Sequence, residues 1–364
     1  MYWIYSVYFI GVMLYGYHRR KNDALLAFSC FAIAFLAAIR YRIGIDYDSY
    51  LVMFRGLLRD PNSRPQLEVG WRYITHFLSY LGFNEYGCFA FWAFATMTLV
   101  YYGIKKYSPY PLISCSIFFF AYTLGGLFSG MRQIVASTIL VLSLDVIKKR
   151  KHVTVCCISL LTAICVHKVA IVIIPIYFLV AYDNIIGKHK YWILFASLGF
   201  GVLGYCVNLI LFLLEYLPGS LSRSIETCIS ISESDGMSWG VFAIARRVGI
   251  VLIALYLFEE VKKRWEYCCV AVPLFFWGNA MAFLLLASYN IAGRTGTFLK
   301  IMELLIFPSF LLVSDNPHWR RGVMVFILCW CLGFFYLTLF CGVHADEIYP
   351  FKTIFEASIK LWQT

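Results

Sequence analysis

Residues 23–50 read DALLAFSCFAIAFLAAIRYRIGIDYDSY, a long hydrophobic run over 23–39 that ends in a burst of charge over 40–50. The hydrophobic part approaches the ~20 apolar residues that an α-helix needs to cross the hydrocarbon core of a membrane. The charged part contains two arginines, two aspartates and three tyrosines. An uncompensated ion at membrane depth costs roughly 3 kcal/mol or more, so charge that is kept there has a function. The stretch therefore predicts a membrane helix followed by a segment with a chemical role.

The composition extends this interpretation to the whole chain. Of its 364 residues, 61% are hydrophobic and only 14% are charged, whereas a soluble domain is about 45–50% apolar and about 25% charged. We expect one integral membrane domain over residues 1–364, an all-α polytopic transmembrane helical bundle of about 12 spans within a range of 10–13. The predicted spans cover residues 2–17, 23–39, 86–104, 111–129, 131–147, 152–166, 168–182, 191–214, 238–258, 267–287, 297–313 and 322–342.

The connections between these spans predict an orientation. Six short connections are rich in lysine and arginine, which the positive-inside rule places in the cytoplasm. The longer connections then lie outside: a large loop over 40–85, a second loop over 215–237 and an amphipathic tail over 343–364. Apolar residues recur at helical spacing twice within 40–85, which predicts two amphipathic helices at the outer membrane surface.

Several classes of function lack their sequence signatures. The net charge of +11 arises largely from short clusters between apolar runs, and no basic stripe with interleaved aromatic residues indicates nucleic-acid binding. None of the 13 cysteines forms a CxxC pair, which leaves a zinc or redox site without support. No phosphate-binding loop, HExxH, GxSxG or dinucleotide fingerprint is present. We therefore expect neither a metal nor a cofactor.

The predicted orientation leaves a surplus of arginine on the outer side, where topology does not require it. The planar guanidinium group suits bidentate contact with phosphate or carboxylate. An anionic ligand that approaches from the outer leaflet is the natural inference, and a lipid-linked diphosphate is the common candidate. Asp46, Asp48 and Glu68 either serve in chemistry or only pair with these arginines. His167 is either a structural residue or a general base.

Five short motifs resemble those of EpsG-like proteins, a part of the Wzy-type bacterial polysaccharide polymerases. The first is Arg40–Tyr50, which is similar to the family's R-x-x-x-G-T-D-Y-x-x-Y signature. The others follow in the family's order: Glu68-Val-Gly-Trp71, Met131-Arg-Gln-Ile-Val-Ala136, Val166-His-Lys-Val-Ala170 and Arg294 to Phe298. The sequence departs from the family pattern at Ile45, Val169 and Thr297.

The resemblance implies a glycosyltransferase of the bacterial inner membrane, with a bundle resembling GT-C-type enzymes and an active site that faces the periplasm. Such a polymerase transfers a growing glycan from undecaprenyl diphosphate to a sugar hydroxyl of another lipid-linked repeat unit, as in O-antigen, lipopolysaccharide or exopolysaccharide synthesis. Membrane lipid and a chain-length regulator protein are the further expected partners.

The same resemblance, with the charge pattern, assigns roles to individual residues. His167 is the preferred catalytic base, with Asp46 and Glu68 as orienting groups or alternative bases. The diphosphate-binding set is Arg40, Arg132, Arg294, Arg246 and Arg247. Tyr47, Tyr50 and Trp71 are candidates to stack on sugar rings, although aromatic residues at a membrane interface need no such role.

Two alternative functions stay open at this stage. An O-antigen ligase uses the same lipid-linked donor, and only the order of the motifs favours a polymerase over it. A lipid-linked oligosaccharide flippase or another transporter would carry charges near the bilayer midplane and often has repeated halves. The charges here collect at one predicted surface, and the sequence has no internal repeat.

Overall fold

A computed structural model of the chain describes residues 1–182, 185–213, 240–342 and 345–356. Over these residues the protein is all-α, as the sequence predicts. Its helices are Tyr2–His18 (α1), Asp23–Ala38 (α2), Tyr47–Arg59 (α3), Val69–Tyr80 (α4), Glu85–Tyr107 (α5), Pro111–Tyr122 (α6), Met131–Leu142 (α7), Leu144–Lys148 (α8), His152–Cys165 (α9), Ile173–Ala181 (α10), Ile185–Val202 (α11), Tyr205–Leu213 (α12), Val241–Tyr256 (α13), Phe258–Arg264 (α14), Cys268–Leu284 (α15), Tyr289–Lys300 (α16), Glu303–Ser309 (α17) and Pro317–Tyr336 (α18).

A π-helical turn continues α6. This turn, Thr123–Ser129, is called the π segment below, and it leads through Gly130 into α7. A 3₁₀ turn over Lys168–Val172 likewise separates α9 from α10. The predicted break at His167-Lys168 is therefore present in the structure.

Asparagine side chains begin several of the longest helices. Asn22 accepts a hydrogen bond from the Leu25 amide at 3.0 Å, and Asn84 accepts one from the Gly87 amide at 2.9 Å. Asn316 does the same for the His318 amide at 2.8 Å, with proline at the first helical position. Each bond satisfies one of the amide groups that the first turn of a helix leaves without a partner, which fixes where these helices start.

Helices occur in all twelve predicted spans, but fewer are long enough to cross a membrane. Within the described ranges, three helices are long and apolar enough to do so: Glu85–Tyr107, Pro111–Ser129 and Pro317–Cys341. The number rises to five if each of two bent pairs, α13 with α14 and α16 with α17, forms one span. The other apolar helices are shorter or interrupted, so twelve spans stays a prediction.

The chain, which the sequence suggests is one membrane domain, forms two compact units. Unit 1 comprises Met1–Ser143, Leu160–Lys168 and Phe307–Thr364, and unit 2 comprises Leu144–Ser159 and Val169–Ile306. In unit 1, α2 packs along α5, α1 along α6, and α7 against α5. In unit 2, α15 packs against α16, α11 and α10.

The two amphipathic helices expected within 40–85 are α3 and α4, which pack on each other and belong to unit 1. The predicted loop over 215–237 lies outside the described residues. Part of the predicted tail is described, and it contains no long helix. Instead, its backbone pairs with the segment after α2: the Tyr41 amide donates to the Lys352 carbonyl and the Ile354 amide to the Ile39 carbonyl, each at 2.9 Å.

Candidate active site around Glu68

Glu68 is the residue around which the sequence-predicted motifs meet. It immediately precedes α4, and only 5% of its surface is exposed. Its Oε2 accepts a hydrogen bond from Arg132 Nη1 at 2.5 Å. Its Oε1 lies 3.4 Å from Nδ1 of His167 and accepts from the Lys168 amide at 3.2 Å. The carboxylate therefore joins the second, third and fourth motifs.

These contacts keep Glu68 ionised. Burial by itself raises the pKa of the Glu68 carboxyl, but the hydrogen bond from His167 and the positive charge of Arg132 outweigh it and hold the pKa at about 2. A carboxylate whose pKa is lowered this far is a weak base, so Glu68 is suited to orient its neighbours. With His167 Nδ1 as the donor to Glu68, Nε2 is the unprotonated nitrogen of the neutral ring.

Arg132 is fixed at both ends. Its side chain pairs with Glu68, and its backbone amide in the first turn of α7 donates to the Tyr50 hydroxyl at 3.3 Å. Burial raises the pKa of the Tyr50 phenol, so its hydroxyl stays protonated. The Arg132 side chain keeps 25% of its surface exposed, compared with 3% for its Glu68 partner. A quarter of the Arg132 side chain is thus accessible while its position is set by the protein.

The glycine of the second motif has a steric role. A Cβ at Gly70 would lie 2.6 Å from Cys165 Cβ and 2.7 Å from the Cys165 carbonyl oxygen. Only glycine permits this approach between the first turn of α4 and the end of α9. Because His167 follows Cys165 by two residues, the contact brings the imidazole to Glu68.

Arg40 is buried more deeply than its predicted role would require. It is 1% exposed, and its guanidinium donates to the Ala37 carbonyl at 2.5 Å and the Phe128 carbonyl at 3.4 Å. It also lies over the rings of Phe89 and Phe128, 4.9 and 5.0 Å from their centroids. Burial lowers the pKa of Arg40 to about 10, which still leaves it charged at neutral pH. In this structure the Arg40 guanidinium contacts backbone carbonyls and aromatic rings of the protein. Diphosphate binding by Arg40 stays a prediction.

The rest of the first motif contacts the same short region of the π segment. Gly44 has a φ of +111°, and a Cβ there would lie 2.6 Å from the Phe128 carbonyl oxygen. The Ile45 amide donates to the Ser129 hydroxyl at 3.2 Å. Phe128 and Ser129 lead directly into the turn before Arg132. The first motif thus supports the turn that positions Arg132.

The three predicted sugar-binding rings lie in the core of unit 1. Trp71 is 0% exposed and stacks on Trp92 with centroids 3.7 Å apart, and Tyr47 stacks on Phe89 at 4.6 Å. Tyr50 is 6% exposed and bonds to Arg132. Their rings are covered by other protein groups, so contact with a sugar would require rearrangement. A sugar-binding role for them stays a prediction.

Asp46, the third predicted catalytic carboxylate, is exposed at the N-cap position of α3. Its backbone carbonyl accepts from the Tyr50 amide at 2.9 Å. The negative charge of the Asp46 carboxylate acts on Tyr50, where it adds to the rise of the phenol pKa, and a catalytic role for Asp46 stays a prediction.

Three of the predicted diphosphate ligands belong to unit 2. Arg294 is exposed on α16, whereas Arg247 on α13 is 7% exposed. A Cβ at Gly296 would lie 2.6 Å from Arg247 Nη1, so the glycine admits the guanidinium beside α16. One turn further, Lys300 Nζ lies 3.9 Å from Glu303 Oε2, and both side chains are buried. Arg246 is half-buried beside Arg247.

Sequence reasoning missed two parts of the site. Phe128 and Ser129 support the turn before Arg132, and the Lys168 amide completes the set of donors to Glu68. Gly125, Gly126 and Gly130 indicate a tight turn in the sequence, but the contacts of that turn depend on the fold. Within the described ranges, no group of three or more metal-binding side chains occurs, and a metal-independent site stays a prediction.

Comparison with known proteins gives one result that covers almost the whole chain. The model of the EpsG family matches residues 2–353. No curated protein and no solved structure matches the chain.

Proposed function

The chain belongs to the EpsG family, which is linked to exopolysaccharide biosynthesis, and from this premise we propose that it is a glycan polymerase. It joins polyprenyl-diphosphate-linked oligosaccharide repeat units at the periplasmic face of the inner membrane. The growing glycan moves from its lipid diphosphate to a sugar hydroxyl of a second lipid-linked unit.

The observation that carries the proposal is the convergence on Glu68. Arg132 and His167 lie 64 and 99 residues away from it in the chain, and both side chains reach its carboxylate. A cation beside a histidine whose tautomer is fixed by a carboxylate is suited to a displacement with an anionic leaving group. The outer-side charge pattern and the order of the motifs support the same reaction.

The proposed reaction forms one bond and breaks another. The acceptor hydroxyl oxygen attacks the anomeric carbon of the donor glycan, and the bond from that carbon to the diphosphate oxygen breaks. His167 Nε2 takes the hydroxyl proton, while Nδ1 stays hydrogen-bonded to Glu68. The leaving lipid diphosphate keeps the bonding electron pair.

Arg132 stabilises the charge that builds on the leaving diphosphate. Its Nη1 is held by Glu68, and a guanidinium has further N–H groups to offer a phosphate oxygen. Because the pair is already formed in the structure, the cation needs no rearrangement before the reaction. Arg246, Arg247 and Arg294 are proposed as further ligands of diphosphate or sugar.

The test is polymerisation by the full-length protein in lipid nanodiscs, supplied with a lipid-linked repeat unit. We expect long glycan chains from the unchanged protein and only the starting unit from Arg132→Ala and His167→Ala. The exposed His189→Ala serves as the matched control. Chains of ordinary length from Arg132→Ala would contradict the assignment.

Deletion in cells separates the alternatives. Loss of a polymerase leaves a single capped repeat unit on its surface lipid, whereas loss of a ligase or flippase removes the surface glycan altogether. The second pattern would exclude the polymerase proposal.

A further inference from the structure

The amphipathic helix α4 carries apolar side chains on its exposed face as well as on its buried face. Trp71, Thr75 and Leu78 pack into unit 1. On another face, Tyr73, Phe77 and Tyr80 are 51%, 57% and 75% exposed. Val69, Ile74 and Leu81 extend this exposed apolar surface and are each more than two-fifths exposed. We call these six residues the α4 apolar face.

The α4 apolar face is suited to lipid and not to water. Contiguous exposed apolar surface of this kind marks an interaction site. The helix has 12 residues and is therefore about 18 Å long, too short to cross a hydrocarbon core of about 30 Å. A short helix with one buried face and one exposed apolar face lies along a membrane surface.

The start of the α4 apolar face lies at the candidate active site. Val69 follows Glu68 directly, and Tyr73 and Phe77 follow at intervals of four residues, the spacing of one helix face. The contact between Gly70 and Cys165 also brings the end of α9 to this point. Leu161 and Ile164 of that helix are 61% and 54% exposed.

The same end of α4 is rich in positive charge. Arg132 pairs with Glu68, the Arg72 guanidinium lies 5.7 Å from the Tyr73 ring centroid, and the exposed Lys168 follows His167. Arg132 therefore contacts the Glu68 carboxylate, and the chain segments next to it carry two further cations, Arg72 and Lys168. This arrangement complements an amphiphile with a strongly anionic head and a long apolar tail.

We propose that the α4 apolar face binds the polyprenyl chain of the lipid-linked diphosphate whose head group lies at Arg132. This inference rests on the proposed function, because it assigns the tail of that same substrate. The diphosphate supplies the negative charge that the cations match, and the isoprenoid units lie along Tyr73 and Phe77. Ordinary bilayer lipid is the competing occupant.

The test compares two probes on the full-length protein in phosphatidylcholine nanodiscs: a C55 polyprenyl phosphate and a C10 geranyl phosphate. We expect Phe77→Ser and Tyr73→Ser each to weaken binding of the long probe by about tenfold, since each removes a large apolar contact. Binding of the short probe should not change. Arg132→Ala should weaken both, because both carry the phosphate.

The matched control is Phe28→Ser, which removes a phenylalanine of similar exposure, 59%, from α2. It should leave the affinity ratio of the two probes unchanged. An unchanged ratio in both α4 variants, or an equal fall in Phe28→Ser, would overturn the proposal and assign the face to ordinary lipid. The two proposals can fail separately. If the α4 variants lower the affinity for the C55 probe relative to the C10 probe, but the unchanged protein does not polymerise, the chain-binding site stands and the polymerase function is rejected.

Discussion

Arg132 Nη1 and Glu68 Oε2 lie 2.5 Å apart, although 64 residues separate them in the sequence. The pair is asymmetric, because the carboxylate is almost fully buried while a quarter of the arginine side chain is exposed. Removing one partner of a buried ion pair is costly, since the other charge remains in a poorly solvated position. The pair therefore contributes to stability as well as to the candidate chemistry.

Replacement of Glu68 should affect both properties. We expect Glu68→Gln to lower the free energy of unfolding by about 3 kcal/mol, because it leaves Arg132 without its carboxylate. Polymerisation should fall at least a hundredfold, because His167 also loses the group that orients it. Denaturation in detergent measures the first effect and nanodisc polymerisation the second. Asp48→Asn removes an exposed ion pair with Arg42, at 3.9 Å, and should cost less than about 1 kcal/mol.

Acid should destabilise the protein through the same carboxylate. The pKa of Glu68 is about 2 in the folded protein, compared with an ordinary value of 4.5. Its stabilisation is therefore complete above about pH 4.5 and is lost as the pH falls towards 2. The thermal midpoint of the unchanged protein should fall over this range more steeply than that of Glu68→Gln. Parallel curves for the two proteins would refute the role of Glu68 in acid sensitivity.

The glycines of the first two motifs should not tolerate even one methyl group. Gly70→Ala would place Cβ against the Cys165 carbonyl, and Gly44→Ala would meet the Phe128 carbonyl from a strained backbone. We expect each to reduce folded protein in the membrane and to abolish polymerisation. Gly11→Ala is the control, because nothing lies within 4 Å of its added Cβ. Normal yield and activity in Gly70→Ala would show that α4 and α9 can separate without loss.

A conservative change distinguishes support from ligand binding at Arg40. Lysine keeps the charge but lacks the planar fork whose two separate nitrogens donate to the Ala37 and Phe128 carbonyls. If Arg40 supports the π segment, Arg40→Lys should lower the thermal midpoint by several degrees and leave the affinity of the folded protein for polyprenyl phosphate unchanged. A tenfold loss of affinity at unchanged stability would instead establish Arg40 as a phosphate ligand.

Much of this architecture can be predicted from the sequence, because its main signals are local. Apolar runs mark the helices, and the break at His167-Lys168 is visible as a charge between two such runs. The meeting of Glu68, Arg132 and His167 is different, since no local pattern states which distant residues touch. The predicted outer-side charge pattern and the resemblance of their motifs to one family are the signals that indicate a common role.

The lengths of the helices and the burial of the aromatic rings are harder to predict from the sequence. A hydropathy pattern does not show where α6 becomes the π segment or where α13 bends into α14. Tyr47 and Trp71 have the residue type expected of a sugar platform, yet each is stacked on another ring. Exposure depends on the packing of α3, α4 and α5 together, which the spacing of apolar residues does not determine.

The pairing of Tyr41 with Lys352 has a consequence for biogenesis. The loop that holds the π segment pairs its backbone with residues that the ribosome synthesises only after α18. While translation continues, the 39–44 loop lacks those partners. This backbone support of the π segment can therefore form only after residues 352–354 have left the ribosome.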